Sequence, residues 1–346
     1  MTRDPTRRSR SFRSLCSGST RRGMAALAVT ACFALLVPIT ACAQSFPSKP
    51  ITMIIPAPAG GPADVLARLM LEPMKTALGQ PVVMENVAGA GGAIGIGRAV
   101  RSPPDGYTIV LGNYNANMAI GASYTLQFDL VGDLEPVANL TSSPIWLIGR
   151  KDHPAKDMRE LIGWLKANPD KGTAAIVGAG TASHVCGVYL QKGTGTTYRF
   201  VAYRGGGPAY ADVAAGHIDL MCAETSATRT LVEGGTVRAF AVMDAKRWSG
   251  APTVPTIDES GASGLYISFW QGFWVPKGTP KDVIAKLNAA ASAALEDPTL
   301  KQRLGDIGVY IPPPDKRSPE ALAALQKAEI DKWWPIIKAA GIKAEQ

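Results

Sequence analysis

Gly60-Gly61-Pro62-Ala63-Asp64 stands between an apolar run, Ile51 to Ile55, and an amphipathic one, Val65 to Leu78. Paired glycines let a ligand approach the backbone, and Asp64 is placed to cap or lock the turn, so the stretch reads as a strand, a tight turn and a helix start. The first turn of such a helix leaves N–H groups unpaired at the positive end of its macrodipole, which is chemistry for holding a carboxylate or a phosphate. Two later loops repeat the arrangement. Gly178-Ala179-Gly180-Thr181-Ala182-Ser183-His184 adds two hydroxyls to its glycine amides, and Tyr203-Arg204-Gly205-Gly206-Gly207-Pro208 follows the next strand in the same way. Three anion-competent loops point to a small acidic ligand held between lobes.

Other chemistries find less support. Ser183 beside His184 suggests a nucleophile and base, but neighbours in a strand-to-helix turn rarely face one another, and no Gly-x-Ser-x-Gly elbow occurs. Gly89-Ala90-Gly91-Gly92-Ala93-Ile94-Gly95 misses dinucleotide-binding spacing because Ile94 occupies the last glycine position, and it reads as a tight loop before a helix packed closely on the sheet. The three histidines, His153, His184 and His217, have no metal-binding spacing. Solvated surface positions account for His153 and His217, and helix-start packing or a hydrogen bond to the loop accounts for His184. No metal or cofactor is expected.

The elements that must position these loops alternate along the chain. Short apolar runs at Ile51–Ile55, Val82–Glu85, Thr108–Leu111, Trp146–Gly149, Ala174–Val177, Phe200–Tyr203, Ile218–Met221, Ala239–Val242 and Gly272–Val275 predict strands. Helical patterns at Val65–Leu78, Met158–Asn168, Pro208–Ala215, Pro280–Leu295 and Pro319–Ala340 lie between them. Continuously apolar strands alternating with helices predict an α/β architecture of parallel strands covered on both faces. The chain is expected to cross between domains near Pro144 to Pro154 and again near Phe269 to Pro276, making residues 44–146 and 270–346 one discontinuous domain and 147–269 a second. The two connecting strands would hinge a cleft.

Residues 1–43 read as an export signal: seven arginines, an apolar stretch from Met24 and an Ala41-Cys42-Ala43 cleavage site. Two readings stand for Cys42, removal or lipidation as a lipoprotein's first residue, and Arg21-Arg22 leaves twin-arginine export open beside the general route. With the signal gone, 36 basic and 28 acidic side chains become 29 and 27, a net charge of +2. No basic block remains to follow a phosphate backbone, which argues against nucleic-acid binding. Of five cysteines, Cys186 and Cys222 lie in the body, either paired in an oxidising compartment or buried as free thiols.

Over nearly its whole mature length the chain resembles the Bug receptors, the substrate-binding proteins of tripartite tricarboxylate transport systems. The resemblance is carried by Gly60-Gly61-Pro62-Ala63-Asp64, Pro103-Pro104-Asp105-Gly106-Tyr107-Thr108, Gly180-Thr181-Ala182-Ser183-His184, Gly216-His217-Ile218-Asp219 and Trp333-Trp334-Pro335. It implies a monomeric periplasmic receptor of the type II-like two-lobed binding-protein fold, each lobe a Rossmann-like sheet flanked by helices. Such a receptor closes on a small carboxylate-bearing solute and delivers it to one small and one large multispan membrane subunit. The family's carboxylate loops map onto Ala59, Gly60 and Gly61 and onto Gly180, Thr181, Ala182 and Ser183, partly through bridging waters, with Tyr203 and Gly205 lining the same end.

The sequence departs from the family where an acid followed by an amide is common. Here the positions read Ala223 and Glu224. The missing aspartate removes a partner for an amino or hydroxyl group, and Glu224 disfavours a second carboxylate unless it is protonated or paired with Arg204. Asn113 with Tyr114, and Phe269 with Trp270, are expected as an aromatic wall at the distal end. A closed form read by a sensor kinase is the alternative output.

Overall fold

The computed structural model describes residues 46–343. The export signal, its cleavage site and Cys42 lie outside the described residues. β1 (Ile51–Ile55) runs between β2 (Val82–Asn86) and β3 (Thr108–Asn113), parallel to both, with Ile51 opposite Val82 and Thr52 opposite Thr108. β3 pairs antiparallel with β9 (Ser268–Pro276), and β9 pairs antiparallel with β4 (Leu134–Arg150). β4 then changes partners. Leu134 to Pro144 lies along β9, while Ile145 to Arg150 lies between β7 (Leu220–Glu224) and β8 (Val237–Val242), antiparallel to both. β5 (Thr173–Ile176) joins β7 to β6 (Arg199–Ala202) in parallel. The chain is thus a two-lobed α/β protein, mixed rather than all-parallel: the parallel pairs lie within β1 to β3 and β5 to β7, and antiparallel β4 and β9 join them.

Helices cover both faces. On β1, Ile51, Met53 and Ile55 face one core cluster, with Leu66 and Met70 of α1 (Pro62–Leu78) and Leu287 of α8 (Lys281–Glu296), whereas Ile54 faces the other. That period-two division explains the continuously apolar strand. α1 starts at Pro62 after Gly61 and stops at Gly79, whose φ of 69° turns its N–H back to the Lys75 carbonyl. Three further helices begin at the ends of strands: α5 (Ala182–Thr194), α6 (Gly206–Ala214) and α7 (Thr225–Glu233). α2 (Ala93–Val100) lies so close to the strand ends that a Cβ on Gly95 would fall 2.7 Å from the Val87 carbonyl oxygen. The remaining helices are α3 (Ile120–Ser123), α4 (Met158–Ala167), α9 (Pro298–Asp306) and α10 (Pro319–Ala339).

Cys186 of α5 and Cys222 of β7 form a disulfide, which decides between the two readings of these thiols. His153 corrects its surface assignment: it is 3 % exposed, stacked edge-on against Trp164 and Phe240, and accepts the Ala155 N–H through Nδ1. Burial pushes its imidazole below the ordinary value. No helix among the described residues is long and apolar enough to cross a membrane.

Candidate ligand-binding site

A cavity of about 890 Å³ opens where the strand-to-helix loops of the two sheets meet. The first turns of α1, α5, α6 and α7 reach its wall, together with Gly89, Gly91 and Gly92 ahead of α2. Four helices longer than two turns therefore direct unpaired N–H groups and positive dipole ends toward one space.

The α1 end is held open by Asp64. Its Oδ2 accepts the Gly60 N–H at 3.0 Å and the Arg68 Nε at 2.9 Å, so the acid locks the turn and does not face the cavity. Burial alone would raise this carboxyl, but the hydrogen bonds from Arg68 and Gly60 hold it below the usual carboxylate range. Gly60 has a φ of 81°, which only glycine adopts without strain, and the loop it shapes brings Ala59, Gly60 and Gly61 to the wall.

The α5 end carries Thr181, Ala182 and Ser183 on the wall. Thr181 Oγ1 donates to the Gly178 carbonyl at 2.8 Å and lies 3.1 Å from Ser183 Oγ, which accepts the Val177 N–H. With the threonine proton committed to Gly178, the serine hydroxyl donates to Thr181 Oγ1, which fixes its orientation. Asn115 Oδ1, from the π-helical turn Asn115–Ala119 after β3, accepts the Ala182 N–H at 2.9 Å and ties the first sheet's loops to the α5 N-terminus. His184 Nδ1 accepts the Gly180 N–H at 3.3 Å and its ring lies 4.7 Å from Phe200, edge-on. Burial lowers its pKa, in keeping with this neutral acceptor role within the loop.

Nine of the sequence-predicted residues share the wall: Ala59, Gly60, Gly61, Asn113, Thr181, Ala182, Ser183, Gly205 and Glu224. Three do not. Gly180, with a φ of 74°, turns the loop from behind, where a Cβ would come within 2.6 Å of Ser123 Oγ. Tyr203 points its hydroxyl to Asp212, donating to Oδ2 at 2.6 Å, and desolvation with that bond pushes the phenol up to about 12. Trp270 belongs to the core: it is 1 % exposed, lies edge-on to Tyr114 and donates through Nε1 to Glu329 at 3.3 Å. Alternation along β9 sends Phe269 and Gln271 to the cavity and Trp270 to the opposite face. Tyr114 is buried with Trp270, so the aromatic wall reduces to Phe269 and Tyr210.

Ala223 also faces away, packed with Trp146 and Ile148, so a longer side chain there would enter the core and not the cavity. Glu224 and Cys222, two residues apart, face inward. Burial pushes the Glu224 carboxyl up to about 8, and among the described residues no ion pair joins it to Arg204, the one basic residue on the wall. Asn115, Tyr210, Ser226 and Gln271 are wall residues that the sequence did not single out. Ser226 was signalled only by its place two residues after Glu224, at the start of a short helix with few apolar residues.

Residues 66–342 match the family described as the tripartite tricarboxylate transporter family receptor. A UPF0065 protein of Agrobacterium vitis, from the TAR-I ttuE-ttuC' intergenic region, is 37 % identical over 311 residues, covering 89 % of each chain. Among solved structures, MatC from Rhodopseudomonas palustris with bound malate has a TM-score of 0.78 and 34 % identity, covering 84 % of this chain and 100 % of its own. The periplasmic binding protein BugD has the same TM-score and 37 % identity, covering 87 % of this chain and 100 % of its own.

Proposed function

The chain belongs to the tripartite tricarboxylate transporter receptor family, and we propose that it is a periplasmic, monomeric receptor that closes on a small carboxylate-bearing solute. It delivers that solute, without catalysis, to one small and one large multispan membrane subunit. The lobes divide as residues 44–146 with 270–346 and residues 147–269, and the change of partner along β4 between Pro144 and Ile145 supports that division. The observation that carries the reading is the convergence of four helix N-termini on one cavity whose wall, among the described residues, holds a single basic side chain. Backbone donors with little formal charge suit a compact anion that must also be released. The malate bound by MatC is such an anion.

The test is a thermal-shift screen of the purified protein against mono-, di- and tricarboxylates, aromatic acids and uncharged analogues. A ligand that binds only the folded state, at a hundred times its dissociation constant, adds about 2.7 kcal/mol. Stabilisation by acids and not by their amides is the expected result. A folded sample that no acid stabilises, and that releases no small molecule on denaturation, overturns the reading.

A further inference from the structure

Glu224 is the one acidic side chain among the described residues of the cavity wall. Its backbone is fixed on both sides: it closes β7 opposite Ile145 of β4, and it is the residue from which α7 starts. Its side chain does not cap α7. Oε2 is shielded from solvent and has no hydrogen-bond partner, and the same holds for Ser226 Oγ in the first turn of α7, also on the wall. Leaving such groups unpaired costs free energy, so their complement matters. The serine hydroxyl and the α7 amides are donors at a positive dipole end, and a neutral Glu224 carboxyl is a third kind of donor. A cation would oppose the amides and the dipole, and an apolar group would leave the oxygens unpaired. The complementary group is an anionic acceptor.

We propose that Glu224, together with Ser226 and the first turn of α7, receives a second carboxylate of the ligand and makes the receptor selective for dicarboxylates. The inference rests on the carboxylate-receptor reading of the same cavity. The surroundings of Glu224 favour its proton. Burial alone pushes the acid up to about 8. Of the groups around it, Tyr210 on α6 is itself raised by burial and by the Glu224 charge, and Arg204 before α6 makes no ion pair with it. Arg229 on α7 is engaged by Glu233 and the Asp306 carbonyl, and β4 presents apolar Ile145. A bound carboxylate raises Glu224 further, because two negative charges in contact are costly.

The experiment is calorimetric titration of the purified protein with succinate and adipate against butyrate and hexanoate, from about pH 6.5 to about pH 9.5. At the lower pH a dicarboxylate is expected to bind about tenfold or more tightly than the monocarboxylate of equal length. Its affinity then falls by up to about tenfold per pH unit once Glu224 ionises, while the monocarboxylate profile stays flatter. Glu224→Gln, which cannot ionise, flattens the dicarboxylate profile, and Glu224→Leu brings dicarboxylate affinity down to that of the monocarboxylate. Equal affinity for both classes, or a wild-type dicarboxylate profile that follows the monocarboxylate one throughout, overturns this proposal and leaves the receptor reading intact; neither needs a variant to fold. Failure of a folded protein to bind either class overturns this proposal, and it overturns the receptor reading as well only where the wider acid screen is also silent and denaturation releases no small molecule.

Discussion

Asp64 and Glu224 show how environment assigns opposite tasks to two carboxyls of one site. Asp64 is 2 % exposed and accepts from Gly60 N–H and Arg68. Asp64→Ala is expected to cost about 1–3 kcal/mol in urea unfolding and to weaken carboxylate binding, because the Gly60 amide loses its buried partner and the loop its anchor. Since its folded-state pKa is lowered, the stability that it contributes is present above its unfolded value and lost as pH falls through the folded one. Glu224 runs the other way. Its folded pKa near 8 exceeds its ordinary 4.5, so between those values the folded state holds a proton that the unfolded state has released, and stability drains as pH rises. Urea unfolding of the unliganded protein should show Glu224→Gln gaining on wild type across that window and levelling above it; a constant difference at every pH would refute the assignment. The sequence singled out Glu224 but not its state, because burial beside Tyr210 and β4 is a property of the assembled wall. Trp270 was misplaced for a related reason: Phe269-Trp270-Gln271-Gly272-Phe273-Trp274 is buried on both faces, so hydrophobicity carries no phase to say which residues face the cleft.

At the level of elements, the disulfide rivets the helix that presents Ser183 to the strand that presents Glu224. Cys186 sits one turn into α5, and Cys222 lies two residues before Glu224 on the wall. Closing a loop of 36 residues restricts the unfolded chain by about 4 kcal/mol in the chain-entropy description. Replacing both cysteines with serine is therefore expected to lower unfolding free energy by about 3–4 kcal/mol, measured by denaturant titration against the oxidised protein, and a loss under about 1 kcal/mol would show that packing alone holds α5 to β7. Sequence separation could not establish this bond, whereas the strand-turn-helix loops were legible because glycine and proline chemistry is local. β4 was legible only in its second half. Trp146 to Gly149 is an apolar run, but Leu134 to Pro144 carries Pro136, Asn139, Thr141, Ser142, Ser143 and Pro144, and becomes a strand through pairing with β9, with register shifts after Pro136 and Asn139. Such pairing is tertiary, and propensity does not announce it.

Across the whole molecule, contacts already join the two groups of loops. Asn115 Oδ1 holds the Ala182 N–H at 2.9 Å, and the Gly180 backbone meets α3 so closely that a Cβ would lie 2.6 Å from Ser123 Oγ. Behind them, Trp333 of α10 is fully buried with its ring 6.2 Å from Tyr114 and 5.1 Å from Tyr189 of α5. These contacts tie α5 and its loop to the first sheet, and Arg229 of α7 donates to the Asp306 carbonyl as well, so the proposed lobes are joined through both helices before any ligand binds. Ligand between them selects the closed population, and its affinity includes whatever the closed form gains from Asn115. Asn115→Ala removes an acceptor whose net worth is about 0.5–1.5 kcal/mol, which corresponds to roughly a two- to twelvefold weaker ligand. The same variant should also need more ligand to reach its most compact state, with the radius of gyration from small-angle scattering falling later in a titration than in wild type. If Asn115→Ala leaves both affinity and the scattering titration unchanged, the Ala182 contact is indifferent to closure. The packing of Trp333 against Tyr114 and Tyr189 is then the next contact to remove, and Trp333→Ala, at a stability cost of about 3–5 kcal/mol, becomes the variant whose scattering is expected to change.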